Sequence, residues 1–475
     1  MSCPDQRHPS ARVIVLCFDG TSNTFQADNT ESNILKIFHC YYQPGIGTEV
    51  APTSLSSNLL RRRSKLWKNK ILDSALAISF DQHVLGGYRF LMKHYRTGSK
   101  IYIFGFSRGA YTARFLNEML DVTGLLAADN EEMIPFVWEA FRNYKKAIKG
   151  KTSVDVEEKE KAWAFLKACN ETIGRAVSRV HFLGLFDTVN STAEFQVSTE
   201  ARPTSVIIRH ALSIDERRVK FYPVLIDPRK NYGMPAGGYK SDAKKEASVN
   251  DEKPRRSTHG AQPSDQDLQE VWFPGGHADV GGGWAFGKTE QWKLGHGPLV
   301  WMIHEAKRAG LQFDEKKIDQ LVEKERQADL PMDEDFEKPV QDSNGKLFES
   351  LRIASTQGLL HDYLKSGEGV PSGTARSWRL MEYMPFRRMI LQPDGSWKPT
   401  RWRLHRGRRR DIPLDAQIHI SVIDRMTADP TYRPANLILR SCDGKLDLSK
   451  YGYGIGEWVV WDHEGDLVRQ TFVRK

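Results

Sequence analysis

The sequence predicts an α/β fold, a mostly parallel sheet flanked by helices. Three observations carry this. Residues 12–18, 101–104 and 180–186 are short apolar runs, continuous rather than alternating, as strands covered on both faces are. Each runs directly into small, polar or acidic residues: Asp19-Gly20-Thr21, Gly105-Phe106-Ser107 and Asp187-Thr188. Between them lie longer segments with apolar residues at helical spacing. A 475-residue chain that is 40% hydrophobic, with 12 Trp, 22 Phe and 15 Tyr, holds a sizeable core and is not a disordered polymer.

The run Ile101-Tyr102-Ile103-Phe104 leads into G-x-S-x-G, with Gly105, Ser107 and Gly109 in place. The next eleven residues carry Tyr111, Phe115, Met119 and Leu120 at helical spacing. Strand, sharp turn and helix are the context of a nucleophile elbow, in which a strained serine stands proud of the sheet edge. Flanking glycines let strand and helix pass closely, and the helix N-terminus offers N–H groups to a developing oxyanion. The fold expected around such an elbow is α/β-hydrolase-like.

Taken in order, the first strand ends at Asp19-Gly20-Thr21, small and acidic residues past a strand end, where open sheets bind ligands. In a serine hydrolase this loop supplies an oxyanion N–H, with Gly20 allowing close approach; otherwise it is an ordinary turn. A helix follows around residues 33–38, then extended chain from 41 into a loop. Residues 53–70, with Arg61-Arg62-Arg63, predict a solvated loop, and 71–95 one or two helices. Residues 131–173 predict a largely helical insert, either a lid over the site or helices packed on the sheet. The third strand ends at Asp187, 80 residues after Ser107, which suits the acid of a triad in the order Ser, Asp, His, or a simple helix cap. Residues 206–213 predict a helix, 215–218 a charged turn, and 228–268 a flexible loop rich in Gly, Pro, Ser and Lys. Val271-Trp272-Phe273 then runs into Pro274-Gly275-Gly276-His277-Ala278-Asp279-Val280-Gly281-Gly282-Gly283, a glycine-dense loop bearing a candidate general base, His277. Asp279 orients a neighbour or binds its own loop, and His419 is a second candidate base. Helices are expected at 299–309, 317–327 and 347–360, and a C-terminal β-hairpin around Trp458–Trp461 and Leu467–Val473. The division expected is a catalytic core over 1–310 and a C-terminal extension over 311–475 packing on it.

Charge and cysteine usage narrow the setting. Lys and Arg exceed Asp and Glu by 69 to 60, a formal +9 that permits contact with an anionic membrane surface but predicts no specific nucleic-acid partner. The densest basic run, Arg401-Trp402-Arg403-Leu404-His405-Arg406-Gly407-Arg408-Arg409-Arg410, suits phosphate binding or the solvent side of a β-hairpin. Five scattered cysteines, none in a C-x-x-C pair, predict neither disulfide framework nor zinc site. There is no apolar leader and no apolar run of spanning length, so a cytoplasmic chain without a transmembrane helix is expected.

Phe18-Asp19-Gly20-Thr21, Gly105-Phe106-Ser107-Arg108-Gly109-Ala110-Tyr111 and Phe273-Pro274-Gly275-Gly276-His277-Ala278-Asp279 stand in this order, with Gly184-Leu185-Phe186-Asp187 and Arg209-His210-Ala211-Leu212-Ser213-Ile214-Asp215-Glu216 between them. Together they resemble the catalytic domain of the type-1 lipase effectors of bacterial type VI secretion, and more closely the fungal proteins that share that domain. The resemblance runs from about residue 12 to 310. It implies an α/β-hydrolase with phospholipase activity, its nucleophile on Ser107, acid on Asp187 and base on His277, the residues also reached from local chemistry. The basic stretch 53–70 departs from the more glycine-rich segment of relatives, and a secreted toxin role does not carry over.

The expected activity is therefore cleavage of carboxylic esters, lipid esters above all, by a Ser-His-Asp triad without a cofactor. Backbone N–H groups of Arg108 and of the Asp19–Thr21 loop would bind the oxyanion. One rival is a metal-dependent phosphoesterase built on Asp19, His277 and Asp279; the phosphatases with Asp-Gly-Thr after a strand need a nucleophilic Asp two residues before that motif, where this chain has Cys17. The other is a non-catalytic anion-binding module around residues 401–410.

Overall fold

The computed structural model describes residues 12–20, 23, 30–38, 41–44, 65–147, 153–189, 203–226, 266–287, 290–326, 343–367, 369–386, 388–391, 397–400, 402, 404–413, 415–437 and 458–474. The strands are β1 (Val13–Phe18), β2 (Tyr41–Gln43), β3 (Lys100–Phe106), β4 (Leu125–Leu126), β5 (Gly174–Arg175), β6 (Phe182–Phe186), β7 (Ile207–Ser213), β8 (Asp267–Phe273), β9 (Arg388–Leu391), β10 (Trp397–Thr400), β11 (Gln417–His419), β12 (Trp458–Asp462) and β13 (Thr471–Arg474). The helices are α1 (Asn33–Ile37), α2 (Lys65–His94), α3 (Arg108–Thr123), α4 (Ile134–Ala147), α5 (Ser153–Thr172), α6 (His277–Gly281), α7 (His296–Arg308), α8 (Glu315–Lys324), α9 (Ser343–Gln357), α10 (Ser372–Met381) and α11 (Ile420–Ala428).

Nine strands form the main sheet in the order β12-β13-β11-β8-β7-β6-β3-β1-β2. From β2 to β11 every neighbouring pair is parallel, and β13 pairs antiparallel with both of its neighbours, β11 and β12. The fold is α/β, α/β-hydrolase-like, with Ser107 following β3, an interior strand between β6 and β1. The apolar runs are continuous because both faces are covered. Ile14, Leu16 and Phe18 join Ile101 and Ile103 in one core with α2 and α3. Val15 and Cys17 join Tyr102, Phe104 and Phe186 in a second core beneath α7 and α9. A third cluster, around Trp272, Ile418, Val422 and Met426, ties β11 and α11 to the end of the sheet. No described helix is long and apolar enough to cross a membrane.

Residues 206–213, expected to be a helix, form β7. The two polar residues that resembled a helical face are buried in the sheet with partners of their own. Arg209 reaches Glu305 and Asp267 from one face, and on the other the His210 ring meets Glu270 at 2.9 Å and the N–H of Thr188 at 3.1 Å. Satisfied polar pairs of this kind break hydrophobic patterning without breaking a strand. The helical insert consists of α4 and α5, whose apolar stripes are spent on α3: Trp138 and Phe141 lie 5.7 and 5.3 Å from the Phe115 ring. The expected loop at 53–70 already contains the start of α2 at Lys65, while Arg61 to Arg63 and nearly all of 228–268 lie outside the described residues. Cys17 and Cys169 are buried; Cys3, Cys40 and Cys442 lie outside the described residues.

Candidate active site

Ser107 sits between β3 and α3 with φ 57° and ψ −123°, a left-handed conformation costly for a residue with a β-carbon. The turn closes because its neighbours lack side chains. A β-carbon on Gly105 would lie 2.5 Å from the Cα of Ala110, and one on Gly109 would lie 2.2 Å from the carbonyl oxygen of Phe18 and 2.3 Å from that of Asp19. The first turn of α3 thus rides directly over the end of β1. Because both obstacles at Gly109 are backbone, Gly109→Ala should destabilise the fold by about 3 kcal/mol. Gly373→Ala, where a β-carbon meets nothing within 4 Å, should not destabilise it; denaturant midpoints of the two variants measure the difference.

Asp187 is the first residue past β6 and is fully buried, also at positive φ. His277 is the first residue of α6, one turn beyond β8. The three side chains meet: the Ser107 Oγ lies 2.8 Å from His277 Nε2, and His277 Nδ1 lies 2.5 Å from Asp187 Oδ2. A carboxylate only accepts, so Nδ1 donates and Nε2 is left to accept from the serine hydroxyl. The imidazole is held by Phe106 and Phe221, with ring centroids at 4.8 and 4.7 Å, and its backbone N–H donates to Glu216 at 3.1 Å. Burial lowers the His277 pKa, and the bond to Asp187 only partly restores it. The ring is therefore neutral at neutral pH, the form that accepts a proton.

Asp187 has a partner that sequence reasoning missed. Arg410 donates to both of its carboxylate oxygens, at 2.6 and 2.8 Å, and also to the carbonyls of Ser213 and Phe221. Ser213 adds its N–H at 3.0 Å and its hydroxyl at 3.2 Å. Burial alone would raise the Asp187 pKa; the Arg410 guanidinium and then the His277 bond overcome it and hold the carboxyl well below its usual range. Glu216 is handled alike: buried, but brought down to about 2 by Arg218, which bonds both its oxygens at 2.9 and 2.8 Å. The same guanidinium lies 3.7 Å from the Phe221 ring centroid and 3.8 Å from that of Tyr363. Thus the expected charged turn at 215–218 is an internal brace behind His277. Asp215 takes Arg409, the Gly275 N–H at 2.9 Å and the Tyr432 hydroxyl at 2.7 Å.

The other predicted positions fall elsewhere. The Asp19 carboxylate folds back on its own loop, accepting from Gly20 N–H at 2.6 Å, Asn23 at 2.9 Å, Ser32 at 2.6 Å and Tyr42 at 2.7 Å. Burial nevertheless raises its pKa. The N–H groups of Asp19 and Gly20 are consumed, by Gln43 O at 3.0 Å and by the Asp19 side chain, so neither is an oxyanion donor; Thr21 lies outside the described residues. Gly20 is needed for another reason: a β-carbon there would meet the Phe106 ring at 2.6 Å. Arg108 opens α3 directly after Ser107, where backbone N–H groups lead the helix. Asp279 accepts from the N–H groups of Gly276 at 2.8 Å and His361 at 3.1 Å and from the His361 ring at 2.7 Å, fixing the turn that presents His277. His419 caps α11: its ring nitrogens meet Ser421 Oγ at 2.8 Å and the Val468 carbonyl at 2.9 Å. Asp19, His277 and Asp279 are engaged with separate partners, and among the described residues no three His, Cys, Asp or Glu side chains are grouped to share a metal ion. In the basic run, Arg409 and Arg410 point inward onto carboxylates, whereas Arg406 and Arg408 are exposed. A run of three arginines carries no signal for which one is buried.

The family model for the catalytic domain of Tle1-like phospholipase effectors of type VI secretion matches residues 12–305. The chain belongs to this family. It is also similar to the uncharacterised protein YEL023C of Saccharomyces cerevisiae, 26% identical over 570 residues that cover 91% of this chain and 82% of the yeast protein, in keeping with the fungal branch. Two solved structures are more remote. An uncharacterised Pseudomonas aeruginosa protein is 18% identical with a TM-score of 0.31, covering 78% of this chain, which spans about half (53%) of that protein. The Tle1 effector bound to the VgrG spike of the type 6 secretion system is 11% identical with a TM-score of 0.32, covering 84% of this chain and 92% of that one. The Tle1-like match ends at residue 305, so Arg410 lies beyond the segment that defines the family.

Proposed function

We propose that this Tle1-like chain is a serine hydrolase of lipid carboxylic esters, with Ser107 as nucleophile, His277 as general base and acid, and Asp187 as the group that orients the imidazole. The observation that carries this reading is the unbroken Ser107–His277–Asp187 chain of hydrogen bonds, at 2.8 and 2.5 Å, ending on a serine at positive φ. Ser107 Oγ attacks the ester carbonyl as His277 Nε2 takes its proton. The tetrahedral oxyanion forms beside the start of α3, where the Arg108 N–H and the helix dipole stabilise negative charge. Collapse breaks the bond to the leaving alcohol, which takes the proton from His277, and the acyl group stays on Ser107. Water then repeats the sequence, giving up a proton to His277 and releasing the carboxylic acid. Asp187, kept ionised, stabilises the imidazolium in both halves. Membership of a phospholipase family favours a lipid ester as substrate.

Labelling with a fluorophosphonate probe tests the assignment. The wild-type chain should label, Ser107→Ala should not, and chelator should make no difference. Labelling of folded Ser107→Ala, or hydrolysis abolished by chelator, would sink the proposal.

A further inference from the structure

The charge of this protein is concentrated in one stretch. Residues 372–410 contain eleven Lys and Arg against two acidic residues, a formal +9 equal to the net charge of the entire chain. The rest of the chain is formally neutral; within the stretch Arg409 and Arg410 turn inward onto Asp215 and Asp187 and Arg388 is buried, so the arginines exposed there among the described residues are Arg376, Arg379, Arg406 and Arg408. The same stretch holds the two most exposed large apolar side chains among the described residues, Trp402 at 82% and Leu380 at 71%, with Tyr383 and Met384 also exposed beside Leu380. It follows α9 and lies beyond residues 12–305, so it is not part of the shared catalytic domain.

Two pieces of this stretch are fastened together by Glu382, just after α10. The Arg406 N–H donates to the Glu382 carbonyl at 3.1 Å, the Gly407 N–H donates to its carboxylate at 3.1 Å, and the His405 ring bonds the same carboxylate. The turn bearing Tyr383 and Met384 is thereby joined to the segment bearing Trp402, Arg406 and Arg408. This surface adjoins the site: Trp378 of α10 packs on Phe221 at 5.5 Å, and Phe221 packs on His277.

We propose that this surface docks the protein on an anionic lipid layer. Arginines beside aromatic and aliphatic side chains match a headgroup region, where the guanidinium pairs with phosphate and the apolar group enters the acyl boundary. A nucleic acid would match the arginines but gives Leu380 and Met384 nothing to bury against. Docking here brings the end of α10 to the lipid, with Trp378 and Phe221 between that surface and His277. The proposal deepens the lipid-hydrolase reading and rests on it for its use, so binding and turnover are measured separately.

The test is co-sedimentation of the full chain with phosphatidylcholine vesicles and with vesicles also containing phosphatidylserine, alongside hydrolysis of a soluble short-chain ester. The wild-type chain should partition onto the anionic vesicles and lose affinity as salt rises. Arg406→Gln with Arg408→Gln should weaken that partition about 30-fold, and Leu380→Ser with Met384→Ser about tenfold. Both double variants should keep their rate on the soluble ester, which shows them folded. Equal binding to neutral and anionic vesicles, unchanged partition of both variants, or binding of a single-stranded oligonucleotide with none to vesicles would overturn the proposal. Vesicle binding without ester hydrolysis would leave docking standing and remove the hydrolase instead.

Discussion

Ser107→Ala should lower ester hydrolysis by about 10⁵-fold, His277→Ala by a similar factor, and the two together by scarcely more than either alone. The reason is that in the proposed mechanism the two side chains act as one unit. The 2.8 Å bond between them means that the hydroxyl is useful only if Nε2 can take its proton, and the imidazole is useful only if a hydroxyl is there to supply it. Two independent contributions would instead multiply. Steady-state kinetics on a soluble ester checks this, with circular dichroism to show that each variant is folded. Ser107→Ala also replaces one residue at positive φ by another, so its effect is chemical rather than conformational. An additive double variant would mean that Ser107 and His277 serve different steps, and the triad would have to be abandoned.

Arg410→Met should lower kcat/KM about 100-fold, destabilise the fold by about 3 kcal/mol, and move the acid limb of the pH profile to higher pH. Asp187 is fully buried, and burial opposes its charge; the positive charge of Arg410, held against both of its oxygens, is the largest influence in the other direction. Without them a buried carboxylate is left with Ser213 and His277 as its donors, and it no longer has a rigid fork to set its plane. The direction of the pH shift follows from the charges. With His277 as the proposed base, hydrolysis needs its neutral form, and burial lowers its pKa, so the wild-type acid limb should lie below the usual imidazole range. Removing Arg410 takes away a positive charge beside Asp187, so the imidazolium is better stabilised and His277 titrates higher. Any rise in the pKa of Asp187 itself acts in the same direction. Arg410→Lys should return the limb most of the way to its wild-type position while recovering only part of the rate, because a single ammonium restores charge but not the bidentate geometry. A slower enzyme with an unmoved acid limb would make Arg410 a packing residue only.

The strands that carry the candidate site, and the residues at their ends, can be read from the chain alone. Continuous apolar runs at residues 12–18, 101–104 and 180–186 are legible because a strand covered on both faces must be apolar throughout. The elbow at Ser107 is legible because a strained turn between strand and helix tolerates only small neighbours, and Gly105 and Gly109 record that demand locally. Asp187 and His277 stand at strand ends, where side chains from different parallel strands converge.

What depends on partners distant in sequence cannot be read this way. β7 resembled a helix because the partners that make Arg209 and His210 tolerable in a buried strand, Glu305 and Glu270, lie 96 and 60 residues away. Asp19 and Gly20 stand where oxyanion donors are expected, yet their N–H groups are taken by Gln43 and by the aspartate's own carboxylate. Arg410 is one of three consecutive arginines, and nothing in its local sequence separates it from exposed Arg408. Its role comes from a carboxylate 223 residues earlier. Periodicity and turn chemistry act over a few residues and leave a local trace, whereas pairing of buried charges is set by the packing of whole elements and leaves none.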